Sequence, residues 1–278
     1  MPTVTEKRQT FRELHEGGCF VLPNPWDLGS ARYLQGLGFK ALASTSAGHA
    51  FTRGLPDNAV GRDAMLAHLH ELAAAVDVPI NADFENGYAH EPEKVSENVR
   101  LCLETGVAGL SIEDSTGDTN QPLYDLDMAV ARIRAARAAI DNAGGDTVLT
   151  GRAECFLVGR PDLHETIQRL KAYAAAGADC LYAPGLRTRE QIDAVVTALA
   201  PKPVNVLMSG PLGPTVAELA ALGVRRVSVG SALARVAWGA MARCAKQILG
   251  DGTFDSFADA MPHPELNAFF REDMKKRG

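Results

Sequence analysis

Ile80-Asn81-Ala82-Asp83-Phe84-Glu85-Asn86-Gly87-Tyr88 follows Val78-Pro79, begins as a short apolar strand and runs into an acidic turn. In extended chain alternate residues share one side, so Asp83 and Glu85 are expected to project together. Two carboxylates crowded at the C-terminal end of a strand cost free energy unless something positive lies between them. A hard divalent cation meets that need, because Mg²⁺ takes oxygen ligands and is usually held by one or two carboxylates plus water and substrate.

On either side of this stretch one unit repeats. Short apolar strands are expected at residues 20–22, 41–44, 80–82, 109–112, 148–151, 180–182, 204–207 and 226–229. Helical patterns stand between them, at residues 28–37, 63–76, 92–104, 127–143, 164–176, 191–199, 216–222 and 232–249. Pro92 suits a first helical turn, and Ala176-Gly177-Ala178-Asp179 and Leu222-Gly223-Val224-Arg225 read as helix-to-strand joints. Eight strands each followed by a helix define a parallel α/β architecture, most simply a (β/α)8 TIM barrel. No linker interrupts the pattern, so residues 1–278 read as a single barrel domain with 250–278 a C-terminal helical extension. The aromatics Phe254, Phe257, Phe269 and Phe270 in that extension need a partner surface, either the barrel's own flank or a neighbouring subunit.

The chain is 46% hydrophobic and 22% charged with a formal net charge of −6, the balance of an ordinary globular protein. No basic stripe points to nucleic acid, no apolar run approaches a membrane span, and residues 1–9 are too polar for a signal peptide. Cys19, Cys102, Cys155, Cys180 and Cys244 are odd in number and widely spaced, which suggests neither a disulfide framework nor zinc and fits a reducing cytoplasm.

Barrel active sites lie at the C-terminal ends of the strands. The ionisable residues expected there are Asp57, Asp83, Glu85, Glu113, Asp114 and Arg152. Glu113 is preferred over Asp114, since one of two adjacent strand residues faces away from the barrel axis. This acidic well with one cation suits Mg²⁺ (Mn²⁺ as an alternative), with open positions for the carboxylate and carbonyl of a 2-oxo acid. The metal would stabilise an enolate by several kcal/mol as a Lewis acid, and Arg152 would add fixed positive charge.

The run Ala82-Asp83-Phe84-Glu85-Asn86-Gly87-Tyr88 resembles the Asp-x-Asp/Glu-x-Gly metal motif of the isocitrate lyase and phosphoenolpyruvate mutase superfamily. Asn24-Pro25-Trp26-Asp27, Gly54-Leu55-Pro56-Asp57, Ile112-Glu113-Asp114 and Arg152 follow in family order, so the resemblance spans residues 18–245. It implies a barrel whose last helix is swapped between subunits of a homodimer or homotetramer. It also implies Mg²⁺ bound directly at Asp83, with Asp57, Glu85 and Glu113 acting through water. The loop Ser44-Thr45-Ser46-Ala47 would bind the carboxylate of a pyruvyl unit, and Trp26 would belong to the substrate site.

Isocitrate and methylisocitrate lyases carry a Lys/Arg-Cys-Gly-His loop after the fourth strand. Residues 115–124 read Ser-Thr-Gly-Asp-Thr-Asn-Gln-Pro-Leu-Tyr, with no cysteine and no lysine, which argues against both activities. Phosphonopyruvate-handling members carry Lys and Asn there, and only Asn120 answers to them. What remains is a lyase acting on a small 2-oxo or 2-hydroxy di- or tricarboxylic acid, cleaving a carbon–carbon bond or decarboxylating through a pyruvate-like enolate. Candidate proton-transfer groups are Asp57, Glu85 and Tyr124. A phosphonopyruvate-type C–P enzyme and a 2-oxo-acid-binding barrel without turnover are the alternatives.

Other features carry less. Ser209-Gly210-Pro211 and Gly230-Ser231 lie where many barrels bind phosphate, but no phosphate-loop motif accompanies them. His68 and His70 are two apart on a helix, cannot face one ligand, and read as surface residues. His49 sits beside the carboxylate loop, Cys155 reads as core, and Asn205 within the seventh strand is a further candidate for substrate contact.

Overall fold

A computed structural model describes residues 1–277. The strands are β1 (Phe20–Leu22), β2 (Leu42–Ala43), β3 (Ile80–Asp83), β4 (Gly109–Glu113), β5 (Val148–Arg152), β6 (Cys180–Tyr182), β7 (Val204–Leu207) and β8 (Arg226–Ser228). The helices are α1 (Val4–Glu16), α2 (Leu28–Gly36), α3 (Ser46–Thr52), α4 (Arg62–Ala75), α5 (Pro92–Glu104) and α6 (Leu126–Asn142). They continue with α7 (Leu163–Ala175), α8 (Arg189–Leu199), α9 (Val216–Ala221), α10 (Ala232–Asp251) and α11 (His263–Arg277). All ladder pairs are parallel, in the order β1-β8-β7-β6-β5-β4-β3-β2. The sheet nearly closes between β1 and β2, where Ala43 N donates to Pro23 O at 3.1 Å. Asn24 fastens the same seam: its Nδ2 donates to Ser44 O, and its Oδ1 accepts from Val229 N and Gly230 N, each at 2.9 Å. The molecule is a (β/α)8 TIM barrel.

Each strand divides its side chains between two environments, as alternation requires. Ile80 and Ala82, Leu110 and Ile112, Val204 and Val206 point outward and are buried against the helix ring. The intervening Asn81, Ser111 and Asn205, with Ser228 on β8, point inward and line a cavity. The lumen is therefore polar, and the apolar layer lies between sheet and helices. Helix starts follow from side-chain caps: Thr3, Asp27, Thr45, Asp162, Thr188 and Thr215 each accept from a backbone N–H in the first turn of their helix.

α1 was not among the helices expected from sequence, and it seals the N-terminal end of the barrel. Phe11 is fully buried with Leu22, Ala43, Ala108 and Val148. A Cβ at Gly109 would meet Phe11 Cε1 at 2.6 Å, so only glycine leaves room for the ring. After β8, α10 buries only Ala234 and exposes Val236, Trp238, Met241 and Leu249. α11 instead lies on the barrel's own flank, where the Phe269 ring is 4.7 Å from Tyr33 and occupies the space beside Gly36.

Phe11→Ala is expected to destabilise the fold by roughly 3–5 kcal/mol, as for other fully buried phenylalanines. Denaturant melts would check this, and a loss under about 1 kcal/mol would show that the barrel does not depend on the α1 plug.

Candidate active site

The mouth of the barrel is organised by Arg152, the last residue of β5. Its Nη1 lies 3.2 Å from both Asp83 Oδ1 and Glu113 Oε2, and its Nε donates to Glu154 Oε1. Its guanidinium also sits 5.2 Å from the centroid of the Tyr182 ring. Burial opposes the charge on Arg152, but Glu154, Glu113 and Asp83 outweigh it and hold the group protonated. Burial raises Glu113 above the usual carboxylate range, with Arg152 opposing the shift.

Asp83 is fixed from its other side by the β2 loop. Ser46 donates to Asp83 Oδ2 through both N and Oγ, each at 2.9 Å, and Asp83 N donates to Ser44 Oγ at 2.8 Å. Thr45 Oγ1 caps α3 by accepting from Gly48 N. Two of the hydroxyls expected to meet a carboxylate thus contact Asp83, although Ser44, Thr45, Ser46 and Ala47 all line the cavity. Asp57 lines it too, with Oδ1 accepting from Ser46 Oγ at 3.3 Å. Burial and then the charge of Asp83 push Asp57 up.

Glu85 departs from the extended geometry expected of it. β3 ends at Asp83, and Glu85 adopts φ +47°, followed by Gly87 at +76° and Tyr88 at +56°. The turn takes its carboxylate off the strand face, where Oε1 accepts from Tyr88 Oη at 2.9 Å. Burial pushes Glu85 from 4.5 to about 7; the Tyr88 hydrogen bond opposes this, and Asp83 and Asp57 add to it.

The cavity measures about 170 Å³. That is below the roughly 300 Å³ at which drug-sized sites begin, and it suits an acid of a few carbons. Asn205 points into it, donating through Nδ2 to Ser228 Oγ at 2.9 Å and accepting Arg226 Nε at 2.9 Å. Asp114 faces away, as expected, and accepts from Tyr173 Oη at 2.6 Å, Glu154 N at 2.8 Å and Arg169 Nη1 at 3.1 Å.

Two candidates lie elsewhere. Tyr124 points to the outer side of the barrel, its hydroxyl 2.5 Å from His90 Nδ1 and its ring 4.1 Å from the Arg132 guanidinium. Trp26 is half-buried against the head of α3: a Cβ at Gly48 would come within 3.0 Å of Trp26 Cβ. Neither lines the cavity; Glu85 and Glu113 also lie behind its wall, Glu113 reaching it only through Arg152. The surface reading of His68 is overturned. It is buried and stacked on His49 with ring centroids 3.7 Å apart, because the inner face of α4 carries it. Glu154, Tyr182 and Arg226 were missed. Glu154 stands two residues after Arg152 at a strand end, the same same-side spacing that drew attention to Asp83 and Glu85.

Among the described residues no three histidine, cysteine or carboxylate side chains close into a ready coordination shell. Arg152 Nη1 reaches both Asp83 and Glu113. The donor set nevertheless fits a hard dication, because it is oxygen throughout. Burial raises Asp57 and Glu85, neighbouring carboxylate charge adds to it, and a bound dication would offset both.

The parallel barrel with a buried arginine among carboxylates at its strand ends is that of an enzyme of the lyase and mutase kind, as its family shows. The profile of the phosphoenolpyruvate phosphomutase family matches residues 11–249, and the chain belongs to that family. It is 32% identical over 236 residues to an oxaloacetate decarboxylase of Paraburkholderia xenovorans, covering 82% of this chain and 76% of that protein. A lyase/mutase candidate from Burkholderia cenocepacia superposes with TM-score 0.93 at 49% identity, covering 96% of this chain and 97% of that one. Oxaloacetate acetylhydrolase in complex with oxalate superposes with TM-score 0.85 at 29% identity, covering 98% of this chain and 97% of that one.

In the metal-free protein Glu85 holds its proton in the fold up to about pH 7 but loses it above about 4.5 when unfolded. Its contribution to stability is therefore expected to fall as pH rises through that window, since the folded state binds more protons there. Thermal melts in chelator should show the slope, and Glu85→Gln should flatten it. An unchanged slope in that variant would contradict the assignment.

Proposed function

We propose that this protein is a Mg²⁺-dependent carbon–carbon lyase, with Mn²⁺ able to replace Mg²⁺. Its substrate would be a small 2-oxo or 2-hydroxy di- or tricarboxylic acid, cleaved or decarboxylated through a pyruvate-like enolate. The observation that carries this reading is Arg152, held by three carboxylates at the edge of a small polar cavity. Asp83, Asp57, Glu85 and Glu113 would hold the cation, which when bound supplies Lewis-acid polarisation of a substrate oxygen. Arg152 keeps a fixed, desolvated positive charge where negative charge develops, a preorganised arrangement that needs no rearrangement at the moment of reaction. Ser44 and Ser46 orient Asp83, and Asn205 offers an amide inside the barrel.

Decarboxylation asks least of this chain's own residues. Carbon dioxide leaves without a protein acid, and solvent can protonate the enolate. The loop at residues 115–123, closed on itself by a Ser115–Leu123 bridge, offers neither cysteine nor lysine. The activity named for the Paraburkholderia relative agrees with this reading. No helix of the described residues is long and apolar enough to cross a membrane.

Mg²⁺-dependent release of a 2-oxo acid, pyruvate or glyoxylate according to the substrate, from oxaloacetate, 2-methylisocitrate, isocitrate, malate-type acids and phosphonopyruvate tests this directly, against metal-only blanks. One acid should turn over, and Asp83→Ala and Arg152→Ala should each lower kcat by roughly 100-fold or more. Turnover surviving in both variants would exclude the reading. No turnover above blank would leave a 2-oxo-acid-binding barrel or a substrate outside this class, and turnover of phosphonopyruvate alone would favour the C–P enzyme.

We also assign a homo-oligomer, a dimer or tetramer, on the strength of the apolar side chains α10 leaves in solvent: Val236, Trp238, Met241 and Leu249. Light scattering at micromolar concentration should give at least twice the chain mass of 29.6 kDa, and a monomer would overturn the assignment.

A further inference from the structure

Arg226, the first residue of β8, is buried in the lumen beneath the site and lines the same cavity as Asp83 and Arg152. Its guanidinium meets only neutral acceptors. Nε donates to Asn205 Oδ1 at 2.9 Å, Nη2 to Thr150 Oγ1 at 3.0 Å, and Nη1 lies 3.4 Å from Asn81 Oδ1. Nη1 also lies 3.4 Å from His15 Nε2, and His15 Nδ1 is 2.7 Å from Phe11 O. The Phe11 carbonyl can only accept, so Nδ1 carries the hydrogen and Nε2 faces Arg226 as a bare acceptor. Burial and the neighbouring Arg226 push His15 down to about 3, which keeps the ring neutral.

No described carboxylate lies within 4.0 Å of the Arg226 guanidinium, whereas the buried Arg152 and Arg169 both have carboxylate partners. The buried Arg132 also lacks one, but it gives its donors to the Asn86, Ala89 and His90 carbonyls away from the cavity. Buried charges in proteins are ordinarily paired, because removing an ion from water costs more than neutral hydrogen bonds return. Here the cation has neutral partners only, and its residue lines the cavity. An apolar barrel floor would have been the simpler construction. The residues around the cation (Asn81, Thr150, Asn205) are instead amides and a hydroxyl, which hold a guanidinium without neutralising it.

We infer that Arg226 is a substrate-binding residue, the receptor for a second carboxylate on an acid whose 2-oxo or 2-hydroxy end lies at Asp83 and Arg152. The inference rests on the proposed lyase reading and narrows its substrate class to diacids short enough for the cavity. It gives Asn205 a defined part, since its Oδ1 orients the guanidinium and its Nδ2 orients Ser228 beside the same space.

Calorimetric titration in excess Mg²⁺ with malate and with its 4-methyl ester tests this without any turnover. The wild-type protein should bind the diacid about tenfold or more tightly than the monoester, the gain of one charge-assisted contact. Arg226→Gln, which keeps hydrogen-bonding capacity but not charge, should bring the two ligands within about threefold, and Arg226→Lys should restore part of the preference. Equal affinity of the wild-type protein for diacid and monoester would overturn the proposal even if Arg226→Gln failed to fold. So would a folded Arg226→Gln that keeps the full preference. The panel of acids answers a separate question: binding preference without turnover would sink the lyase reading and leave the diacid receptor standing.

Discussion

The mouth of this barrel depends on one buried cation held by three acids. Arg152 takes Asp83 from β3, Glu113 from β4 and Glu154 just beyond β5 into a single charge cluster. Removing one partner of such a buried cluster is costly, because it strands a charge out of water; values of roughly 3–5 kcal/mol are typical. The same cluster explains why neighbouring strands keep their relative height at the mouth, since Glu113 and Arg152 are directly opposite in the β4–β5 ladder. A layer further out, Asp114 performs a related service, gathering Tyr173, Arg169 and the Glu154 backbone. The adjacent pair Glu113-Asp114 thus serves two sides of the sheet.

A polar lumen follows from the same logic. Most of the apolar burial lies between sheet and helices, so the barrel interior is free to carry amides, hydroxyls and the Arg226 cation without loss of the core. α1 makes this workable by closing the N-terminal end with Phe11 and with His15, whose neutral ring accepts from Arg226. The result is a small cavity with a carboxylate-held cation at its rim and a second cation, among neutral groups, at its floor. That charge order favours an anion with two ends.

The strand and helix alternation was legible because each unit is short, apolar and punctuated by glycine, and the acidic strand ends could be read by position. Period-two spacing worked for Asp83 and for the division between Glu113 and Asp114. It failed for Glu85, because the strand ends at Asp83 and a positive φ at Glu85 itself turns that carboxylate toward Tyr88. His68 was misread because a histidine on an amphipathic helix carries no mark of which face it occupies; its stacking partner His49 is distant in sequence. Tyr182 was not visible because it sits in an apolar run, and Arg226 because it directly follows Arg225 at a helix-to-strand joint, where nothing marks which of the two enters the lumen. Glu154 was readable in principle, since it repeats the two-residue spacing next to the most conspicuous arginine.

The account centres on a cation-assisted site built around Asp83 and Arg152. A crystal structure with Mn²⁺ and oxalate, located by the anomalous signal of the metal, tests that most directly. The account predicts a metal peak at ligand distance from Asp83, with oxalate between it and Arg152 above the Arg226 floor. A metal or oxalate bound instead at the loop of Ser209 and Gly210, with the Arg152 cluster undisturbed, would contradict it.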